Sequence, residues 1–193
     1  LHLRRVESFA LLDLLPNLRT FVLFTPEPGA IQPSHLFLGR HLPRGLEKLV
    51  FGTGRHLWPC VPIWLTQLSY CQTLQSLTLS YRFHAFDALP PGHFNYDWIK
   101  TLPTSLTNLC FPIGHHFSSQ LDALYHLPRA LACLRLTNKV EEGYHRRQKL
   151  ELQDAHFAQL PTSLTTLHLP AEHTGLTEQI FTYLPPYILH LSG

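Results

Sequence analysis

One pattern constrains this chain more than any other, an L-x-x-L-x-L segment that recurs along its whole length. The copies begin at Leu18, Leu46, Leu74, Leu106, Leu131 and Leu164, and a further one begins at Ile188. They read Leu18-Arg-Thr-Phe21-Val-Leu23, Leu46-Glu-Lys-Leu49-Val-Phe51 and Leu74-Gln-Ser-Leu77-Thr-Leu79 in the first half of the chain. The second half carries Leu106-Thr-Asn-Leu109-Cys-Phe111, Leu131-Ala-Cys-Leu134-Arg-Leu136, Leu164-Thr-Thr-Leu167-His-Leu169 and Ile188-Leu-His-Leu191. Leu1-His-Leu3 has the form of the tail of an earlier copy. The steps between first positions are 28, 28, 32, 25, 33 and 24 residues. Most copies follow a Leu-Pro dipeptide, and the hexapeptide Leu-Pro-Thr-Ser-Leu-Thr occurs identically at 102–107 and 160–165. Self-similarity at such a period is the signature of a stacked architecture.

The physics of one copy follows from its alternation. In an extended chain successive side chains point to opposite faces, so L-x-L sets two leucines on one face and the intervening residues on the other. The leucine three places earlier turns into the same interior. Proline cannot donate a ladder hydrogen bond, which puts Leu-Pro before the strand and outside the paired region. One short strand cannot bury its apolar face alone, whereas copies stacked side by side share a continuous leucine column. The expected product is a curved parallel sheet with one short strand per copy, the rest of each copy returning on the convex side.

This pattern resembles the leucine-rich repeat family across essentially the whole chain. Steps of 24, 25 and 28 lie inside that family's range of roughly 20–29 residues, and those of 32 and 33 imply insertions. Leu-Pro-x-x-Leu-x-x-Leu is most similar to the FNIP-type subclass, helped by a Phe shortly after the strand in Leu79-Ser-Tyr-Arg-Phe83 and Phe111-Pro-Ile-Gly-His-His-Phe117. It is also similar to the Leu-Pro-rich repeats of bacterial ubiquitin-ligase effectors. The resemblance implies an α/β solenoid, a horseshoe of about seven units spanning 1–193 as a single domain, with an irregular convex side.

Composition narrows the function. With 15 basic and 13 acidic residues among 193, the chain lacks the clustered basic excess of a phosphate-reading nucleic-acid binder. Its apolar runs reach about six residues, far short of the ~18 that read as a membrane-spanning helix. Cys60, Cys71, Cys110 and Cys133 show no C-x-x-C spacing, which favours a reducing, cytoplasmic setting over a disulfide scaffold. None of the nucleophile-elbow, phosphate-loop, dinucleotide or H-E-x-x-H motifs occurs, so no catalytic residue and no cofactor is expected. Among the 14 histidines the candidate metal ligands are His115-His116, which are adjacent, and His168, His173 and His190, which fall on neighbouring units. Adjacent residues diverge in extended chain, and neither Cys nor carboxylate stands at zinc-like spacing beside the others, so no metal site is expected.

The spacers are rich in Pro, Gly and aromatics, which favours turns over long helices. Helical turns are predicted only for 63–71 and 119–126. Phe83, Phe86, Phe94, Trp98, Phe117 and Phe157 are expected to pack the convex core, and the charge-rich stretch from Lys139 to Asp154 to be a solvated excursion.

The concave face is formed by the residues around the strand leucines. In chain order they are Thr20, Val22, Phe24; Lys48, Val50, Gly52; Ser76, Thr78, Ser80; Asn108, Cys110, Pro112; Cys133, Arg135, Thr137; Thr166, His168, Pro170; His190 and Ser192. A flat mixed face suits a protein or peptide partner better than a metabolite, which takes a deep pocket. The candidate contact residues are Val22, Phe24, Lys48, Val50, Thr78, Asn108, Cys110, Arg135, His168 and His190. Among them Val22, Phe24, Val50, Arg135 and His168 are the expected anchors, because aromatics and arginine are enriched at interface hot spots. The expected function is protein–protein recognition, without catalysis, nucleic acid or membrane insertion. The alternatives are the substrate-recognition segment of a ubiquitin ligase and a structural subunit of a large assembly. Both termini cut through a copy without a polar cap, so the chain is expected to be part of a longer array or to abut other protein at its ends.

Overall fold

In a computed structural model of the chain, the residues described are 2–3, 9–25, 41–53, 65–81, 96–113, 115–137, 150–170 and 173–192. Each copy contributes one strand: β1 (His2–Leu3), β2 (Thr20–Thr25), β3 (Lys48–Thr53), β4 (Ser76–Tyr81), β5 (Asn108–Pro112), β6 (Cys133–Thr137), β8 (Thr166–His168) and β10 (His190–Ser192). They form one eight-stranded sheet in the order β1-β2-β3-β4-β5-β6-β8-β10. Every pairing is parallel. The register sets Phe21, Leu49, Leu77, Leu109, Leu134, Leu167 and Leu191 in one column. The first six of these are buried, as are Leu46, Leu74, Leu106, Leu131 and Leu164 three places before the strand residues. The shared leucine core expected from the L-x-x-L-x-L pattern is therefore present.

Two hydrogen-bond staircases lock one copy to the next. At the start of each strand one carbonyl accepts two successive N–H groups from the following copy. Arg19 O takes those of Glu47 and Lys48, Glu47 O those of Gln75 and Ser76, and Gln75 O those of Thr107 and Asn108. The series continues through Thr107, Ala132 and Thr165 to His190. The second staircase is made by side chains. The Thr73 hydroxyl donates to Leu46 O, that of Ser105 to Leu74 O and that of Ser163 to Leu131 O. Thr107 and Thr165 add donations to Gln75 O and Ala132 O. The duplicated Leu-Pro-Thr-Ser-Leu-Thr thus places a Ser and a Thr where each satisfies a carbonyl of the copy before, as partly buried carbonyls require.

The proline has a second role besides staying out of the ladder. Leu102, Leu160 and Leu184 end convex helical segments in extended conformation, with ψ of 142°, 146° and 145°, and each precedes a proline. A residue before proline is pushed out of the helical region, so the dipeptide stops the convex segment and starts the turn. That turn closes with the first-leucine N–H donating to the carbonyl three residues back, as from Leu106 to Pro103 and Leu164 to Pro161. In the first full copy the matching bond runs from Leu18 to Leu15, so the acceptor is the leucine of the dipeptide and the proline stands one residue nearer the first leucine than in the others. Leu15-Pro16 is thus offset from the later dipeptides, and Leu15 is 39% exposed where Leu42, Leu102, Leu127 and Leu160 are buried.

Among the described residues the convex side carries short 3-10 segments at Phe9–Leu14, Thr66–Tyr70, Asp97–Thr101, His115–His126 and Asp154–Gln159, and an α-helical turn, α1, at Ile180–Tyr183. The segments at 66–70 and 115–126 fall on the two stretches predicted to turn, the second beginning earlier than expected. Trp98 and Phe157 are buried as expected. The Trp98 ring meets Phe111 edge-on at 5.4 Å and 87°, and Tyr96 lies 6.0 Å from the same ring. Phe83, Phe86, Phe94 and the Phe117 side chain lie outside the described residues.

The charge-rich stretch is also outside them up to residue 149, but its end is not a solvated excursion. Leu150–Glu151 forms β7, which pairs in parallel with β9 (His173–Thr174) in a separate two-stranded sheet. Leu152 is buried and its N–H donates to Thr174 O. The Asp154 carboxylate accepts from the N–H and hydroxyl of Thr177. Alternation over so few residues gives no strand signal, which is why this sheet was not foreseen.

Candidate functional site

Because the sheet is in register, the concave residues fall into columns that cross the strands. A central column runs Val22, Val50, Thr78, Cys110, Arg135, His168 and Ser192. Beside it run Thr20, Lys48, Ser76, Asn108, Cys133, Thr166 and His190. A third column opens with Phe24 opposite Gly52. All ten sequence-predicted contact residues therefore lie on this one face. Phe24, Lys48, Asn108, Arg135 and His190 are exposed, and Val50, Thr78, Cys110 and His168 are half-buried. Val22 is only 8% exposed and offers little area of its own.

The face has two chemically distinct halves. Toward β2 and β3 it carries an apolar patch, Phe24 and Val50, with the exposed Lys48 in the next column. The Phe24 ring, 48% exposed, lies against Gly52, whose lack of a side chain makes room for it. Gly52, one of the concave residues expected from the sequence, is a strand residue that seats an aromatic ring.

Toward β6, β8 and β10 the face is polar and its groups are connected. Arg135 Nη2 lies 3.4 Å from His168 Nε2, and His168 Nδ1 lies 2.6 Å from Ser192 Oγ. A guanidinium has only donors, so it donates to Nε2; the imidazole is then neutral, with its proton on Nδ1 donating to Ser192. Partial burial, then the Arg135 charge and His190, hold His168 below the usual histidine value. The Ser192 hydroxyl keeps its own proton free to donate outward. Ser192 was not among the predicted contact residues, although its position across from His168 follows once the copies are aligned.

Cys110 stands opposite Arg135 and Cys133 opposite Asn108, so the two thiols are diagonal neighbours. Diagonal neighbours on one face stand about 7–8 Å apart, beyond the Cα separation a disulfide spans. Burial pushes the Cys110 thiol up, with Arg135 lowering and Cys133 raising it, which keeps it protonated at neutral pH. His173 belongs to the small sheet, apart from His168 and His190. Among the described residues no group of three or more His, Cys, Asp or Glu side chains is placed to hold a metal ion.

No protein-family profile matches the chain, and no curated protein sequence matches it. Among solved structures it is similar to the leucine-rich repeat-containing protein LegL7 from Legionella pneumophila, with a TM-score of 0.50 and 17% identity, over 99% of this chain and 71% of that one. The fold is the leucine-rich-repeat solenoid. The likeness adds an independent shape comparison to the register, hydrogen-bond staircases and leucine column, and it concerns the fold alone. Among the described residues no helix is long and apolar enough to cross a membrane.

Proposed function

We propose that this solenoid is a protein–protein recognition module that binds a protein or peptide on its concave face. The observation that carries the reading is the presence, on one sheet face, of both an exposed Phe24 ring and an exposed Arg135 guanidinium that no carboxylate neutralises among the described residues. Aromatic and arginine side chains of this kind dominate interface energetics. The module acts as a scaffold without chemistry of its own, in a cytoplasmic setting. Its repeat subclass is FNIP-like on the strength of Leu-Pro-x-x-Leu-x-x-Leu-x-Leu, although no copy carries Phe-Asn-x-Pro. A ubiquitin-ligase substrate-recognition role would be a special case of the same binding.

The test is affinity capture on the wild-type protein and on a variant with Phe24, Arg135 and His168 changed to Ala. A discrete partner held by the first and lost by the second supports the reading. Equal retention by both sinks it.

A second reading, a subunit in a larger assembly, draws on the exposed apolar side chains of Phe181, Tyr187 and Leu189. Concentration-dependent light scattering that is abolished by Leu189→Glu would move this reading ahead.

A further inference from the structure

The distribution of charge over the sheet specifies more than that the concave face binds something. The chain has 13 acidic residues, yet not one occupies a concave position, whereas Lys48 and Arg135 both do, with His168 beside Arg135 and His190 one strand beyond, opposite Thr166. A carboxylate does stand close by, one residue before β3, but it is already taken: Glu47 lies 3.2 Å from Arg19, outside the columns. These concave columns therefore carry positive charge and no negative charge. Arg135 is exposed and its partner among the described residues is a neutral imidazole, which orients the guanidinium while leaving most of its donors unused there.

Geometry supplies the second constraint. Phe24 lies on β2 and Arg135 on β6, four strand intervals apart. At about 4.8 Å per interval the separation is about 19 Å, which an extended chain at about 3.3 Å per residue covers in about six residues. We propose that the concave face takes an extended acidic peptide segment of a partner protein, running across the strands. Its carboxylate pairs with Arg135 and an apolar side chain about six residues away rests on Phe24 and Val50. His168 is a positioning residue, holding the guanidinium toward the carboxylate. A nucleic-acid strand is the poorer fit, since the face offers only two permanent cations and phosphate binding draws on many. The inference rests on the concave-face reading above and gives it a partner chemistry.

The test is selection of a randomised library of short peptides on the immobilised full chain, followed by fluorescence anisotropy of individual labelled peptides. Enrichment of Asp or Glu about six positions from an aromatic or aliphatic residue is expected. Arg135→Glu, at an exposed position, should leave the circular dichroism spectrum unchanged. It should weaken the selected peptides by roughly tenfold or more, and Lys-for-Glu peptides should recover part of the loss. Phe24→Ala should weaken the same peptides. Peptides that are lost with Phe24→Ala but carry no acidic preference, or keep their affinity in Arg135→Glu, would overturn the acidic specificity and leave concave binding standing. Selected peptides indifferent to every concave substitution would overturn both. Binding of single-stranded RNA in competition with the peptides would replace the proposal with a nucleic-acid site.

Discussion

The ring of Phe24 lies directly against the backbone of Gly52 on the neighbouring strand. A Cβ added to Gly52 would come within 2.2 Å of the ring's Cδ1 and 2.5 Å of its Cε1. Gly52 is in a strand without positive φ, so its value here is space and not conformational freedom. Gly52→Ala must therefore push the ring away from the sheet. The expected outcome is a loss of stability in the wild-type background and a smaller loss, or a gain, when Phe24 is already Ala. The double-mutant coupling should be about 0.5–1.5 kcal/mol, within the span measured for side chains in contact. Denaturant unfolding of the four proteins measures it, and additivity would show that the two residues do not touch.

The Arg135–His168–Ser192 chain makes a prediction about protonation. His168 is held below its unfolded value of about 6.5. The unfolded chain then binds the proton first, so this histidine's contribution to stability is intact above about pH 6.5. It is lost progressively as pH falls through that value toward the folded one. Arg135→Gln removes one cause of the lowering, so the folded pKa of His168 should rise and the acid sensitivity it confers should shrink. Ring nitrogen chemical shifts followed against pH would report both the titration and the tautomer. A proton found on Nε2 in the neutral form would contradict the donor order deduced here.

Much of this was legible in the sequence because leucine spacing and strand register are the same information. Once Leu49 and Leu77 are aligned, Val50 and Thr78 must be neighbours on the opposite face, and all ten candidate contact residues follow. What could not be read depends on small local geometry. Leu15-Pro16 stands one residue nearer its first leucine than the other dipeptides do, a spacing the letters show, but the exposure of Leu15 that goes with it is not legible there. The β7–β9 pairing involves two residues on each strand, too few for a periodicity. Gly52 carried no side-chain pattern at all, and its role became visible only with the Phe24 ring in place.

Ser163 and Leu134 separate the two kinds of glue between copies. The Ser163 hydroxyl lies within hydrogen-bond distance of both Arg129 O and Leu131 O. Ser163→Ala should cost about 0.5–1.5 kcal/mol, the net worth of a typical intramolecular hydrogen bond. Leu134 is fully buried in the leucine column, and Leu134→Ala should cost about 2–5 kcal/mol, with transfer and cavity contributions together. Equilibrium unfolding in urea should rank them in that order. A Ser163→Ala cost matching that of Leu134→Ala would mean that the hydroxyl staircase, and not the leucine column, dominates cohesion.

Gly175 is the one described residue whose glycine is demanded by conformation. Its φ is +88°, and a Cβ there would meet the carbonyl oxygen of Leu152 at 2.5 Å. That carbonyl is backbone in the small sheet and cannot swing aside as a flexible side chain could. Gly175→Ala combines a disfavoured backbone region, worth about 1–3 kcal/mol, with a clash. The expected result is local: loss of hydrogen-exchange protection at the Leu152 amide, with protection in β3 and β4 retained. Uniform loss of protection would mean that the small sheet is coupled to the whole solenoid.

Cys71 provides a chemical probe of how tightly the copies close. It occupies the place that proline takes in the later copies, where its carbonyl accepts the turn bond from Leu74. Its side chain is buried and its thiol is pushed up to about 11. Thiolate is the reactive form, so at pH 8 the native protein should label Cys71 with a thiol reagent far more slowly than denatured protein does. Cys133 is half-exposed on the concave face and should react without unfolding. Mass spectrometry of the labelled peptides would resolve the sites. Labelling of Cys71 at the rate of Cys133 would mean that the second and third copies separate readily in the native state, and the closed leucine column described here would then be wrong at that point.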